Sequence, residues 1–108
     1  AVRRIFRRKP TPDAIICRND HLAAHLLMTL RKLGKRIPKA VRVTGCNDSS
    51  YAAALEPALT TVRQPCADIA RVAFERLLGR VQKGRSVLPQ PLHLQLPYTL
   101  EIRSSTRD

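Results

Sequence analysis

The sequence predicts an α/β fold in which an open, parallel sheet is built from βαβ units. Two short β-favouring runs, residues 14–17 and 41–46, flank a segment with helical periodicity. A strand, a helix and a second strand within about thirty residues are typical of a parallel pair joined by a right-handed crossover. The first run is apolar at successive positions, which is typical of a parallel strand buried on both faces.

An amphipathic helix is predicted over residues 20–33, between the two runs. Its leucines recur at intervals of four, four and three, and Ala23 and Leu27 widen the stripe. We expect Asp20 to cap the first turn, because a carboxylate there accepts backbone N–H bonds. Gly34 is expected to supply the left-handed residue that ends the helix. The stripe consists of Leu22, Leu26, Leu30 and Leu33.

Three further elements are predicted in the first two thirds of the chain. Residues 3–9 are basic and are typical of the end of a helix, which the prolines at positions 10 and 12 stop. Turn residues follow residue 46, and one or two helical turns are expected within residues 51–55. A β-favouring run at residues 59–62 predicts a third strand.

The last third of the chain is predicted to hold a second helix and a half-exposed strand. Pro65 is typical of a first helical position, and an apolar stripe continues to about residue 82, before Gly84. Strict alternation over residues 92–96 predicts a strand, and residues 98–103 are expected to form an extended tail. The apolar stripe of this helix consists of Ile69, Val72, Ala73, Leu77 and Leu78.

Composition excludes some classes of protein and favours others. The 108 residues include 20 Lys and Arg against 8 Asp and Glu, so that the net charge is +12. Such a charge is typical of nucleic-acid binding, but the two Phe and two Tyr are too few for a base-stacking platform. We therefore interpret most of the charge as a solvated surface and keep a basic nucleic-acid-binding domain as an alternative. The length allows one ordinary domain at most.

Neither a membrane span nor a disulfide framework is predicted. The sequence lacks the ~18 continuous apolar residues that a span needs, and its first ten residues lack the apolar region of a signal peptide. Cys17, Cys46 and Cys66 are odd in number and widely spaced, which suits a reducing cytosol. We expect a cytoplasmic protein without membrane contact.

Motifs for catalysis and metal binding are weak or missing. His21 and His25 have a spacing that zinc sites use, but Leu22 stands where a metalloprotease motif requires Glu. Ser49 and Ser50 lie outside a GxSxG context, and the four glycines are isolated, so no phosphate loop is predicted. We expect neither an enzyme nor a bound metal or cofactor.

Polar side chains follow the first two predicted strands at their carboxyl ends. Arg18, Asn19 and Asp20 follow the first strand, and Asn47 and Asp48 follow the second. In an open parallel sheet, ligands bind at this edge. Amides, carboxylates and a guanidinium suit the hydroxyl groups of a sugar or the edge of a nucleobase. The alternative is that Asp20 only caps a helix and that Asn47 and Asp48 only form a turn.

Five sequence blocks follow one another in a characteristic order: PDAIICRNDHLAAHLL, LGKRIP, VRVTGCND, EPALTTVRQP and LEIRSST. In this order they resemble the C-terminal part of the effector-binding domain of LacI/GalR-family transcriptional regulators. The resemblance extends from about residue 12 to residue 106 and implies a periplasmic-binding-protein-like fold of type I. In that family, two α/β lobes clamp a small molecule, and closure changes the geometry of a dimer with a separate DNA-binding headpiece.

The resemblance implies that residues 1–108 are only the C-terminal half of such a domain. Residues 12–62 would form the βαβ part of the C-terminal lobe, residues 65–93 a helix and strand of the N-terminal lobe, and residues 94–106 the return. The headpiece would be absent. The implied function is to bind a sugar or sugar derivative, to dimerise, and to control operator binding allosterically. A fragment of a periplasmic-type sugar-binding protein is the alternative.

The resemblance also implies roles for individual residues. Asn19 and Asn47 occupy positions whose counterparts hydrogen-bond the effector, and Ile16 occupies that of a pocket wall. The family usually has Asp at the position of Asn47, and here Asp48 stands beside it. At the position of Arg18 the family usually has a smaller residue. The predicted effector site consists of Ile16, Arg18, Asn19, Asn47 and Asp48. A place in the hydrophobic core is the alternative for two of the predicted dimer-surface residues, Met28 and Leu55. The full set at the dimer surface is Ala24, Met28, Tyr51 and Leu55.

Overall fold

The structure is a computed structural model that describes residues 2–7, 9–82 and 93–107. The chain forms two compact units: unit 1 consists of Ala1–Gln64 and Thr99–Asp108, and unit 2 consists of Pro65–Tyr98. The elements in chain order are α1 (Val2–Ile5), β1 (Ala14–Ile16), α2 (Asp20–Lys32), β2 (Arg42–Cys46), a 3-10 turn (Ala52–Ala54), β3 (Thr60–Arg63), α3 (Cys66–Gln82) and β4 (Thr99–Glu101).

Unit 1 is built on a four-stranded sheet with the order β1-β2-β3-β4. β1 pairs with β2 in parallel, and β2 pairs with β3 in parallel. The predicted parallel βαβ unit is therefore confirmed. β4 pairs with β3 in antiparallel orientation, with Leu100 opposite Val62. Part of the predicted extended tail is thus a fourth strand.

The hydrophobic core of unit 1 lies between α2 and one face of the sheet. Alternation along β2 buries Val43 and Gly45 and leaves Arg42 exposed. Burying one valine or leucine side chain stabilises a fold by roughly 1.5–3 kcal/mol. The apolar side chains that α2 and the sheet bury against each other therefore hold α2 on the sheet. The core consists of Ala23, Leu26, Leu27, Leu30, Val41, Val43, Ala52 and Leu59.

The N-terminus of α2 is capped by Asn19. Asn19 has an extended backbone, and its side-chain oxygen Oδ1 accepts a hydrogen bond from the Leu22 N–H at 2.9 Å. The prediction that Asp20 is the capping residue is wrong. Asp20 is the first residue of α2 and is fully buried. Its carboxylate accepts hydrogen bonds from Ser49 and Thr61 and is therefore not available to cap the helix.

The C-terminus of α2 ends as the sequence predicts. Gly34 has a φ of +66°, which is the left-handed region that a Cβ disfavours. The Gly34 N–H donates to the Arg31 carbonyl and the Lys35 N–H to the Leu30 carbonyl, both at 3.0 Å. This pair of bonds is a Schellman motif, and it satisfies carbonyls that the end of the helix would leave unpaired.

The prediction that the first strand is buried on both faces is wrong. β1 is an edge strand, and although Ile15 packs against the core, Ile16 is 85% exposed. The reason is the alternation of strand side chains, which turns Ile16 away from the face that α2 covers. Leu22 is likewise exposed, since it lies at the margin of the buried stripe of α2.

Unit 2 contains α3, which confirms the predicted second helix. The Ile69 N–H donates to the Pro65 carbonyl at 2.9 Å, so the helical bonding begins at the predicted proline. None of the described side chains of α3 is buried, and Leu77 is 61% exposed. The predicted strand is wrong over residues 93–96, which are irregular. Leu92 and Gly84 lie outside the described residues.

We expect Gly45→Ala to lower the free energy of unfolding by about 1–3 kcal/mol, the usual cost of over-packing a core. A Cβ at Gly45 would collide with Oδ1 of Asp20 and would approach a methyl of Leu59 at 2.9 Å. Urea denaturation measures the change. Gly79→Ala is the matched control, because it lies in α3 with open space around it, and alanine favours a helix there by about 1 kcal/mol. Equal stability of the Gly45→Ala variant and the original chain would contradict this packing.

Candidate ligand-binding site

The candidate site lies at the carboxyl edge of the sheet in unit 1. Ile16 at the end of β1 lies opposite Thr44 of β2, and the Cys17 N–H donates to the Thr44 carbonyl at 2.8 Å. The loops that follow β1 and β2 therefore leave the sheet side by side. This is the edge at which open parallel sheets bind ligands.

A buried aspartate connects these two loops to each other and to β3. The carboxylate of Asp20 accepts a hydrogen bond from the Ser49 N–H at 2.6 Å through Oδ2, and one from the Thr61 hydroxyl at 2.5 Å through Oδ1. Asp20 is fully buried. Both carboxylate oxygens are thus used within the protein, and Asp20 positions the site.

The loop after β2 contains two residues in the left-handed region. The φ angles are 113° at Asn47 and 51° at Asp48. Asn and Asp tolerate this region better than other side chains do, yet each such residue costs on the order of 1–3 kcal/mol. Hydrogen bonds to β3 hold the loop: the Asn47 N–H donates to the Val62 carbonyl at 2.8 Å and the Asp48 N–H to the Thr61 hydroxyl at 3.3 Å.

Asn19 and Asn47 each use their side-chain oxygen within the protein. Oδ1 of Asn19 caps α2, and Oδ1 of Asn47 accepts a hydrogen bond from Nε2 of Gln64 at 3.0 Å. Their Nδ2 groups have no partner among residues 2–7, 9–82 and 93–107. Each amide therefore keeps a hydrogen-bond donor that no described residue uses.

Asp48 lies in an ion-pair network. Its Oδ2 is 2.7 Å from Nε of Arg63, its Oδ1 is 2.7 Å from a terminal nitrogen of Arg103, and its side chain is only 8% exposed. Burial raises the pKa of the Asp48 carboxyl, but the hydrogen bonds and positive charges of Arg103 and Arg63 outweigh burial, so the pKa lies below its usual value. Arg63 also pairs with Glu101 at 3.2 Å. Both carboxylate oxygens of Asp48 are therefore engaged in unit 1.

Ile16 and Arg18, the other two predicted effector-site residues, lie on the same edge and are exposed. The structure thus places all five predicted residues on two adjacent loops and strand ends, and it leaves the apolar surface of Ile16 and the guanidinium of Arg18 open to a ligand. Their contact with an effector stays a prediction.

The four predicted dimer-surface residues differ in exposure. Met28 is 53% exposed and Tyr51 is exposed, whereas Ala24 is half-buried. Leu55 is half-buried and packs against the core. The exposed side chains of Met28 and Tyr51 are available for a partner, and the role of all four residues at a dimer surface stays a prediction.

Two residues near the C-terminus also support the site, although no sequence motif for binding or catalysis includes them. Ser105 is fully buried, and its hydroxyl accepts from the Thr60 N–H at 2.8 Å and donates to the Val43 carbonyl at 2.6 Å. Arg103, two residues earlier, donates to the Leu59 carbonyl at 2.8 Å while it pairs with Asp48. The signal in the sequence that points to both is the LEIRSST block of the family resemblance.

Other kinds of site find little support in the described part of the chain. No group of three His, Cys, Asp or Glu side chains within it is arranged to hold a metal. His21 and His25 contact each other edge to face, with ring centroids 4.7 Å apart. Burial raises the pKa of the Cys17 thiol, which disfavours the reactive thiolate. Of the helices described, none combines the length and apolarity that crossing a membrane requires.

Asp20→Asn is expected to destabilise unit 1 by about 1–3 kcal/mol, because the new amide nitrogen would face the N–H of Ser49 or the hydroxyl of Thr61 and leave one buried donor unpaired. Urea denaturation measures the loss. Asp13→Asn is the matched control, since it makes the same exchange at an exposed residue just before β1. If the two variants were equally stable, Asp20 would not hold the loops.

Acid is expected to weaken the Asp48 network. Because the folded-state pKa of Asp48 is lowered, the unfolded state binds more protons between the two pKa values, and stability rises with pH there. The contribution is present above about pH 3.9, the ordinary Asp pKa, and is lost as the pH falls through the folded-state value. The free energy of unfolding of the original chain minus that of Asp48→Asn should therefore shrink below about pH 4. A difference independent of pH would contradict this network.

The comparisons with known sequences identify the family. A family model described as a periplasmic binding protein-like domain matches residues 1–106. The Ribose operon repressor of Bacillus subtilis is 33% identical over 106 residues, which are 95% of this chain and 31% of the repressor. The transcriptional regulator CelR of Thermobifida fusca is 32% identical over 109 residues, 97% of this chain and 30% of CelR. The chain spans about a third of the length of these curated relatives.

Solved structures agree with the sequence matches. The transcription regulator GntR from Chromobacterium violaceum superimposes with a TM-score of 0.83 at 32% identity, and the match covers 99% of this chain and 38% of GntR. A LacI family transcriptional regulator from Lactobacillus casei with bound sucrose gives a TM-score of 0.73 at 29% identity, over 88% of this chain and 34% of that regulator. The chain therefore belongs to the LacI family of transcriptional regulators and forms part of their periplasmic-binding-protein-like domain.

Proposed function

We propose that the chain is the effector-binding and dimerisation part of a bacterial transcriptional regulator that responds to a sugar or a sugar derivative. The observation that carries the proposal is the pair of amide donors of Asn19 and Asn47, which no described residue uses and which two adjacent loops hold at the carboxyl edge of the sheet. Donors held in fixed positions suit a ligand that is rich in oxygen atoms.

The relatives support a sugar as the ligand class. The name of one relative is Ribose operon repressor, and the Lactobacillus casei regulator was solved with bound sucrose and with bound glucose. Ile16 and Arg18 would complete the effector site beside the two amides, and Asp48 would orient the loop from its ion-pair network.

We propose that the chain contributes to both of the lobes that the family resemblance implies. Residues 12–62 and 94–106 would belong to the C-terminal lobe, and residues 65–93 to the N-terminal lobe. Effector binding would favour one of two conformational states and thereby change the affinity of a DNA-binding headpiece for operator DNA. By reciprocity, operator DNA changes effector affinity by the same factor, and the coupling in such systems is typically ~1–3 kcal/mol. Such a protein acts without catalysis, in the cytoplasm where its DNA lies.

The homodimer surface is proposed to include the exposed side chains of Met28 and Tyr51, together with Ala24 and Leu55. An exposed methionine and tyrosine are typical of a protein–protein interface, because the adaptable methionine and the large tyrosine ring both offer apolar area to a partner.

Asn19→Asp is expected to weaken sugar binding at least about tenfold, the effect of losing about 1.4 kcal/mol of hydrogen bonding. The aspartate can still cap α2 through its oxygen, so stability should change little, whereas Asn19→Ala also removes the cap. Isothermal titration calorimetry would be run on the longest native polypeptide that contains this sequence, with ribose, glucose and glucose 6-phosphate as probes.

Gln82→Glu, at an exposed position of α3, adds the same negative charge elsewhere and should leave affinity unchanged. Unchanged affinity of the Asn19→Asp variant would remove Asn19 from the effector site. If none of the probes bound to the unmutated protein, the effector-binding function itself would be contradicted.

A further inference from the structure

The carboxyl edge of unit 1 has its main hydrogen-bond acceptors already engaged. The amide oxygens of Asn19 and Asn47 accept from Leu22 and Gln64, at 2.9 and 3.0 Å. The sequence predicts a mixed set of donors and acceptors at this edge, and the structure shows that the amide acceptors are used internally.

The carboxylates at this edge are engaged in the same way. Asp20 accepts from Thr61 and Ser49 and is fully buried, and its charge lies at the N-terminus of α2, where the helix dipole favours a negative charge. Asp48 is paired through both oxygens with two arginines. Neither carboxylate is therefore placed to accept hydrogen bonds from the hydroxyl groups of a ligand.

What remains for a ligand is a set of donors. The Nδ2 groups of Asn19 and Asn47 have no protein partner within the described chain, and the Arg18 guanidinium beside the two strand ends is exposed. Arg18 forms no ion pair with any residue described. All three donors suit an anionic oxygen group, which only accepts, and the positive charge of Arg18 favours such a group over a neutral hydroxyl.

We propose that this edge binds an anionic oxygen group, so that the effector is a sugar that carries a phosphate or a carboxylate. This inference rests on the proposed effector-binding function and narrows its ligand class.

Three pyranoses that differ at one carbon test the proposal: glucose, glucose 6-phosphate and glucuronate. Calorimetry would use the longest native polypeptide that contains this sequence. We expect the phosphate or the carboxylate to bind at least about tenfold more tightly than glucose, a difference of about 1.4 kcal/mol, and the comparison of the two anions distinguishes the source of the charge. Ribose and ribose 5-phosphate provide a second matched pair.

Binding of the neutral sugars that equals or exceeds binding of the anionic ones would overturn this inference and would leave the proposed function intact. A protein that bound none of the five probes would contradict both. The two failures are therefore distinguishable in one set of titrations.

Gln64→Glu tests the orientation of the Asn47 amide. A glutamate accepts only, so Asn47 would have to turn its Nδ2 toward residue 64 and present its oxygen to the ligand. The preference for the anionic sugar should then fall at least about tenfold, a change of about 1.4 kcal/mol. Gln82→Glu, on an exposed position of α3, adds the same charge elsewhere and is the matched control. If the two substitutions changed the preference equally, the added charge alone would explain the change, and the proposed orientation of the Asn47 amide would be contradicted.

Arg18→Ala tests independently whether the guanidinium of Arg18 binds the anionic group of the ligand. We expect it to lower the affinity for the anionic sugar and to leave neutral-sugar affinity nearly unchanged, whereas Arg42→Ala, which removes an exposed charge at the amino end of β2, should change neither. Since Arg18 and Gln64 are exposed, both variants should fold, and circular dichroism verifies that they do.

Discussion

The buried carboxylate of Asp20 joins the start of α2 to the loop after β2 and to β3, segments that lie 29 and 41 residues further along the chain. An unpaired donor left at this depth costs roughly 1–3 kcal/mol, so its hydrogen bonds hold all three segments together. Gly45 leaves the room that the carboxylate occupies. The left-handed conformations of Asn47 and Asp48 are maintained because the N–H of the next residue, Ser49, is fixed to Asp20.

Local signals account for what the sequence predicts correctly. The apolar periodicity of α2, the β-favouring run of β2 and the glycine after α2 depend on neighbours a few residues away. The choice between Asn19 and Asp20 as the capping residue cannot be made from such local signals, because both residue types are good caps. It depends on Thr61, a distant residue whose hydroxyl bonds to the buried carboxylate of Asp20. β4 could not be predicted for a similar reason: its pairing depends on the free edge of β3.

At the candidate site, the sequence predicts which residues lie together but not which of their atoms are available to a ligand. Chain order and the rule for parallel sheets are enough to predict that Asn19, Asn47 and Asp48 share one edge. Which of their atoms are free depends on Gln64, Arg63 and Arg103, whose positions follow from the register of β3 and β4. That register changes the chemistry of the edge, since it engages the carboxylate of Asp48 and the oxygen of Asn47 and leaves the amide nitrogen of Asn47 without a partner in the described chain.

Unit 1 is discontinuous in sequence, and this has a consequence for its synthesis. The chain leaves the sheet after Arg63 and returns at Thr99, its direct partner in β4. On the ribosome, α2 and the three parallel strands emerge before unit 2. Ser105 emerges only after unit 2, although its hydroxyl bonds to Val43 and to Thr60, which lies 45 residues earlier. Until then the outer edge of β3 is open, and open strand edges pair with other chains. If β3 folds before β4 emerges, its outer edge is therefore exposed to pairing between chains until Thr99–Glu101 covers it.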